Sequence, residues 1–488
     1  MMQSRREFIY QGIFSASAMA AAGCVSNGRG LFDFTSGAPM QGFAAKPMET
    51  VRIGVVGVGG RGYAALRRFA KIPGARVTAL CDNVREKIDK GQKRLADCKM
   101  PKAKEYYGET EWRRLCDDPE VDVVYNTTPW ELHMPVMRAA MLGGKHVMTE
   151  VPSVLSVDDA WEAVELAEKT RRHAMQLENC CYGEVEMLAL NLARQGVLGE
   201  LVHAEGAYIH DLRNMTVTKW PDNECWRYDW NRDHKGNFYP THGLVPLCLT
   251  LGINRGDRFD YLVSLESQQA NFRALLREKH PEHVRSADDI QMGDMNSTLI
   301  KTALGRSILV QHDVSTPRPY SRLGYLSGTK GAVAGWPMRL ALETEVGKGA
   351  HKWLSADAGT DKEKAEFREL VEKYQHPMFK TAGAIAKKMS ADHGGMDYLM
   401  DLRWIYCLRQ GLPLDMDVYD LAATGCLCEL TERSVRGRSK TVDVPDFTRG
   451  AWKTAKPLGI ENIDVRKAGF GDDVKGPDAK ADKDTFQV

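Results

Sequence analysis

The sequence predicts an α/β chain of two folded parts. A doubly wound parallel sheet covers residues 51–178, and an α+β domain with a large, mostly antiparallel open sheet covers 179–455. Three observations predict this. Short apolar runs alternate with amphipathic stretches from Val51 to Thr149; a glycine-rich turn follows the first run; and beyond Glu178 the runs lengthen and lose that alternation.

The first part is justified element by element. Val51–Gly57, Arg76–Cys81, Val121–Thr127, His146–Thr149 and Met175–Glu178 are the strand-like runs, with Tyr63–Ile72, Glu109–Asp117 and His133–Gly143 as helices among them. Strands separated by helices pair in parallel, with both sheet faces covered. In the second part, Glu184–Gln195 has helical spacing, and strand-like runs follow at Leu201–His210, Arg258–Gln268, Ser297–Leu304, Ser307–Val314 and Leu323–Leu326. The Lys- and Glu-rich stretch from Ala341 to Met389 predicts a solvated helical region, and Gly395–Arg409 and Asp417–Arg433 predict two packing helices. Residues 25–50 are expected to be a Gly/Ser/Pro linker, and 456–488 a polar tail.

With 488 residues, 43% of them hydrophobic and 27% charged, the chain can bury a large core. Its formal charge of +1 gives no reason to expect nucleic acid or an anionic membrane surface as partner and suits a small neutral substrate. No run is long enough for a transmembrane helix. Arg5-Arg6 before the small-residue run Phe8–Cys24 resembles a twin-arginine export signal, which implies the periplasm or cell envelope. Ala22-Gly23-Cys24 resembles a lipoprotein cleavage site, with Cys24 as the lipid anchor. The eleven cysteines show no zinc spacing, so neither a metal site nor a disulfide framework is expected.

Val51–Gly62 is an apolar strand running into Gly57-Val-Gly59-Gly60-Arg61-Gly62. Gly57 and Gly59 permit a tight turn and a close backbone approach to a pyrophosphate, and Gly62 permits close packing of the next helix. Asp82 ends the second strand, about twenty residues on. A carboxylate there accepts hydrogen bonds from ribose hydroxyls and repels a 2′-phosphate, so the pattern reads as a Rossmann site for NAD rather than NADP.

The later strands lead into Thr128-Pro129-Trp130-Glu131-Leu132-His133 and into Glu150-Val151-Pro152. This resembles the Gfo/Idh/MocA family of sugar and polyol dehydrogenases, which carry Thr-Pro and Glu-Lys-Pro at these places. The family's lysine assists proton removal from the alcohol; here it is Val151. Glu178-Asn179-Cys-Cys-Tyr182, Tyr208-Ile-His210-Asp211, Trp226-Arg227, Tyr239-Pro240-Thr241-His242-Gly243, Asn254-Arg-Gly-Asp-Arg258, Gly394-Gly-Met-Asp397 and Leu412–Asp420 together are similar to glycoside hydrolase family 109, NAD-dependent α-N-acetylgalactosaminidases of the same superfamily.

Carried onto this chain, that resemblance places NAD on Gly60, Arg61, Asp82, Trp130, Glu131, Leu132, His133, Glu150, Val151 and Asn179. It places the sugar on Tyr208, Arg227, Tyr239, Pro240, Thr241 and His242, with Tyr320 touching both. The chemistry it implies is oxidation of the sugar at C3, loss of the C2 proton with expulsion of the C1 substituent, water addition and re-reduction, so that NAD is recycled and no Asp/Glu pair is needed.

His242 is the candidate base at the oxidised hydroxyl, or else a cap or substrate-orienting residue. Tyr182 is the weaker candidate for the C2 step, or else a packing tyrosine. Trp220, Trp226 and Trp230 are candidates for stacking on sugar faces or for the core. A sugar dehydrogenase and a non-catalytic NAD-binding relative stand as alternatives; Val151 disfavours the first and the Tyr239–His242 string the second. Superfamily habit suggests a homodimer.

Overall fold

The computed structural model describes residues 37–217, 226–281, 289–345, 347, 351–389, 392–457 and 460–470. The segment expected to be an export signal, with Cys24, as well as Trp220 and the end of the expected polar tail, lie outside them.

Six parallel strands form the first sheet: β1 (Val51–Val56), β2 (Ala75–Asp82), β3 (Lys104–Tyr107), β4 (Val123–Asn126), β5 (His146–Thr149) and β6 (Ala174–Gln176). Their order is β3-β2-β1-β4-β5-β6, every neighbouring pair parallel. The order reverses between β1 and β4, and ligands of such sheets bind outside the carboxyl ends of the strands at that switch. Both faces are covered, so β4 and β5 are buried at every residue.

The second sheet has nine strands: β7 (Leu201–Ile209), β8 (Phe259–Glu266), β9 (Asn296–Thr302), β10 (Ser307–Asp313), β11 (Tyr325–Gly328), β12 (Gly331–Gly335), β13 (Met338–Leu342), β14 (Leu354–Ser355) and β15 (Val442–Asp443). They lie in the order β14-β13-β12-β11-β7-β10-β9-β8-β15, with only β7 and β10 parallel. The expected mostly antiparallel sheet is therefore present, with β12 to β14 added to it. Part of the stretch expected to be a solvated helical region is thus edge strand, and its helices are Asp361–Tyr374 and, after a π-helical turn at Phe379–Gly383, Ala384–Met389. The helix Asp361–Tyr374 has one buried residue, Phe367, and a Thr360–Glu363 capping box.

Both expected ends differ from the linker and tail of the sequence reading. Met40 is buried, its amide donates to the Tyr419 hydroxyl at 3.1 Å, and Met48 N–H donates to Leu408 O at 3.1 Å. Ile460 and Ile463 are likewise buried, and Arg194 donates to Ile460 O at 2.6 Å. Scattered apolar residues in polar stretches anchor these segments, a signal that average composition hides.

The helix Met396–Gln410, in which every residue from Met396 to Leu408 is buried, packs on the nucleotide-binding fold. It lies against the first helix of the nucleotide-binding fold, Gly60–Phe69. Arg61 and Arg68 of that helix meet Asp397 and Asp401, at 3.2 Å and 2.6 Å. Arg68 and Asp401 are almost entirely out of solvent, and Tyr125 and Trp404 each add a hydrogen bond to the pair. Removing one member of such a pair strands the other charge. Asp401→Asn should therefore cost about 3–5 kcal/mol, read as a lower urea midpoint at unchanged slope.

Candidate active site

The carboxyl edge of the first sheet builds a dinucleotide cradle. Gly57 has φ +87°, and a Cβ on it would sit 2.8 Å from the Thr127 carbonyl oxygen. A Cβ on Gly62 would sit 2.0 Å from Gly57 O, so only glycine lets strand, turn and helix meet. Gly59 faces open space, and the helix it precedes has neither a side-chain cap nor an acid in its first turn. Its terminal amides remain free to bind an anion. Asp82 accepts from Val58 N at 2.7 Å and Val84 N at 2.9 Å, which fixes its carboxylate beside the turn with lone pairs to spare. An open glycine, uncapped amides and a fixed acid fit the pyrophosphate and ribose of a dinucleotide.

The other residues expected at the cofactor divide into two groups. Arg61 donates to Glu150 at 2.8 Å and pairs with Asp397, which also accepts from Asn179 at 2.7 Å and contacts His393 Nδ1 at 2.6 Å. Burial alone would raise the Asp397 carboxyl, but Arg61 and His393 hold it well below the usual range. Arg61, Glu150 and Asn179 thus form one network centred on Asp397, a residue with no role expected from the sequence.

The second group shapes the wall. Trp130 donates its indole N–H to Val151 O at 3.3 Å, while Glu131 is exposed and Leu132 half-buried. Both His133 ring nitrogens face carbonyls, Pro152 O at 2.8 Å and Thr128 O at 2.9 Å, so this ring braces two loops instead of reaching outward.

The residues expected to take the sugar gather where the second sheet approaches. A Cβ on Gly243 would lie 2.2 Å from Ala207 N, and one on Gly206 2.1 Å from Gly243 O. These two glycines let the helix Thr241–Leu251 touch the backbone of β7. That contact sets His242 beside Tyr208 and Tyr239, with ring centroids 5.1 and 4.8 Å away. Tyr208 and Tyr239 lie 4.7 Å apart, and the Tyr208 hydroxyl is 3.1 Å from His210 Nδ1. Pro240 and Thr241 are buried at the helix start.

Arg227 lies over Trp226, Trp130 and Tyr239, at 4.4, 5.5 and 5.9 Å from their ring centroids, and Trp230 packs edge-on to Trp130. Tyr320 stands 5.0 Å from His210, its hydroxyl accepting from Arg322 at 3.0 Å.

His242 Nδ1 contacts Glu178 Oε1 at 2.7 Å, across 64 residues of sequence. Glu178 follows β6 and is fully buried. Burial pushes its carboxyl up, but His242 and the Cys180 amide bring it below the usual range. An ionised carboxylate behind an imidazole fixes the ring and stabilises its protonated form.

Tyr182 is not part of this cluster, which corrects its candidacy for the C2 step. It is 1% exposed in the core, and its hydroxyl donates to Asp415 at 3.0 Å. Burial, then Asp415, raises this phenol well above its ordinary value, so it packs and does not act as a base. The Asn254–Arg258 string is also internal: Arg255 pairs with Asp417 at 2.8 Å and Asp420 at 2.7 Å.

Comparison with known proteins follows this division. Residues 51–177 match the model for the oxidoreductase family NAD-binding Rossmann fold, and 182–454 the glycosyl hydrolase 109 C-terminal domain. A glycosyl hydrolase family 109 protein of Shewanella amazonensis is 43% identical over 93% of this chain and 98% of its own. The chain belongs to glycoside hydrolase family 109. A family member named alpha-N-acetylgalactosaminidase, from Bacteroides fragilis, is 43% identical over 84% of this chain and 95% of its own.

Among solved structures, an NAD-binding oxidoreductase from Klebsiella pneumoniae aligns with TM-score 0.62 at 18% identity, over 82% of this chain and all of its own. Levoglucosan dehydrogenase with NADH and levoglucosan aligns at 0.59 and 15%, over 81% of this chain and all of its own. These show that family 109 shares the dehydrogenase fold. This member is a glycoside hydrolase built on an NAD-binding oxidoreductase scaffold.

His210 and His312, the latter with its ring centroid 6.4 Å from that of Tyr208, generate a pH dependence. Burial pushes His210 and His312 down to about 4. An unfolded histidine titrates near 6.5, so the unfolded chain takes protons first as pH falls. The stability due to their neutral burial is fully present above about pH 6.5 and is lost progressively towards pH 4, on the order of 2 kcal/mol per histidine. Urea unfolding at pH 7.0 and 5.0 should show the loss, and His312→Gln should reduce it.

Proposed function

We propose that this enzyme hydrolyses terminal α-linked N-acetylgalactosamine or a closely related glycoside, with NAD recycled at each turnover. The carrying observation is the Glu178–His242 pair, at 2.7 Å, set beside Tyr208 and Tyr239 at the edge of the dinucleotide sheet. The Bacteroides fragilis relative named alpha-N-acetylgalactosaminidase supports the substrate class.

Bound NAD supplies a reversible hydride acceptor for a sugar carbon, which acidifies the neighbouring C–H and lets the C1 substituent leave without an oxocarbenium ion. Gly59 and the helix amides would take its pyrophosphate and Asp82 its ribose. The chain's own work is proton handling and orientation. His242 Nδ1–H donates to the Glu178 carboxylate, which leaves Nε2 as the lone pair that takes the sugar hydroxyl proton; Glu178 then stabilises the imidazolium. Arg227, unpaired with any carboxylate among the described residues, offers its fork of donors to a sugar oxygen. Tyr208 and Tyr239 present aromatic edges and hydroxyls to the ring.

We also propose export by the twin-arginine route, with Cys24 as a lipid-anchor site; the support is residues 4–24 alone. A homodimer is proposed through the face of the second sheet that carries Leu265 and Leu299, 64% and 56% exposed.

Protein as purified, with no NAD added, should release phenol from an aryl α-N-acetylgalactosaminide without lasting NADH absorbance, and a C2-deuterated substrate should lose its label. NADH accumulation without phenol release would overturn this in favour of a sugar dehydrogenase. Glu178→Gln keeps the shape of the side chain but removes the charge behind His242, and should lower kcat about 10²–10⁴-fold with little change in KM.

A further inference from the structure

The cysteine and histidine spacings of the sequence contain no metal motif, but the fold builds one ligand set. Glu178, Cys180 and His242 each offer one ligand atom, and the three atoms lie within 4.8 Å of one another. Glu178 and Cys180 come from the short turn after β6, and His242 from the start of the helix Thr241–Leu251, so the backbone contact between Gly206 and Gly243 closes the set. A second, independent feature points to a ligand: Glu178 Oε2 is buried, with no hydrogen-bond partner among the described residues. An orphaned buried carboxylate oxygen carries a penalty that a cation would relieve.

We propose that this triad is an inhibitory site for a thiophilic divalent cation such as Zn²⁺. Carboxylate oxygen, thiolate sulfur and imidazole nitrogen are all zinc ligands, at about 2.0–2.2, 2.3 and 2.0–2.1 Å from the metal. A tetrahedral ion therefore needs ligand atoms about 3.3–3.6 Å apart, which the triad reaches by small side-chain rotations. On binding, the Cys180 thiol releases its proton to solvent and the thiolate becomes the third protein ligand, with water in the fourth position. The side chain of His242 is 14% exposed and that of Glu178 fully buried, so the ion enters along the substrate's path.

Inhibition follows from the two imidazole nitrogens. A metal on Nδ1 displaces the hydrogen bond to Glu178 and leaves the ring proton on Nε2, where it blocks proton uptake from the sugar. A metal on Nε2 occupies the base itself. Either mode removes the lone pair that the proposed mechanism requires, so the inhibition rests on that reading, whereas the binding rests on geometry alone.

The test separates the two. Chelator-treated holoenzyme is titrated with Co²⁺, followed by its visible d–d bands and the thiolate-to-cobalt charge-transfer band in the near ultraviolet, and then with Zn²⁺ to displace it. One equivalent should bind, and Cys180→Ser should abolish the charge-transfer band and weaken binding at least 100-fold, with Cys180→Ala giving the same result should serine not be tolerated at this buried position. Cys181→Ser should keep the band. Glycoside turnover should fall in proportion to Zn²⁺ occupancy and return with chelator. Absence of the band, or equal affinity in Cys180→Ser and the parent, would overturn the metal site. A Cys180-dependent band with turnover unchanged would leave the metal site standing and overturn His242 as base.

Discussion

The double ion pair between the helices Gly60–Phe69 and Met396–Gln410 is the constraint on which the site depends. Arg61 and Arg68 are two turns apart on the first helix; Asp397 and Asp401 are one turn apart on the second, and so share a face of it. Asp397 lies in the first turn of its helix and Arg68 in the last turn of its own, where each charge suits the local backbone dipoles. Two charges withdrawn from water would be unfavourable alone, and each is tolerated only in the arrangement that supplies the other. The helix from the second part of the chain is thereby set in register against the nucleotide turn. Through Asn179, Asp397 also fixes the residue next to Glu178. One carboxylate thus links the glycine-rich turn to the Glu178–His242 pair.

The sugar side follows from a second constraint, backbone against backbone. Gly206 and Gly243 permit a helix to lie directly on β7, and any side chain at either position would collide with main-chain atoms. Without that approach His242 would not reach Glu178, and Tyr208 and Tyr239 would not form one aromatic wall. Thr-His-Gly is therefore a packing motif as well as a chemical one: the glycine places the histidine.

The periodic, local features were legible in the sequence. The strand and helix alternation, the glycine turn and Asp82 are encoded within short windows, and the sheet order follows from right-handed crossovers. Less legible were features that exist only across long separations. Asp397 stood in a noted string, but its partners Arg61 and Asn179 are over 200 residues away. Glu178 and His242 are coupled only by folding. Tyr182 was misplaced because a tyrosine after a sheet-edge strand can point to either side of the wall, and Asp415, which holds it, comes from a distant loop. β14 is two residues long, too short to register as a period.

Val151 and His242 belong to one adaptation. Val151 stands where the resembling dehydrogenases carry the lysine that assists proton removal, and it is 3% exposed in an apolar cluster with Trp130, Tyr208 and Tyr239. An ammonium there would be desolvated against indole and phenol rings, and burial would favour its neutral form. Valine keeps that wall apolar and leaves its carbonyl to fix Trp130. In the proposed mechanism the proton acceptor is instead an imidazole, His242, whose own counter-charge, Glu178, is already buried against it. Glu178 is what would permit the exchange: with the carboxylate already bonded to the ring at Nδ1, an imidazolium formed at proton uptake is neutralised within the protein.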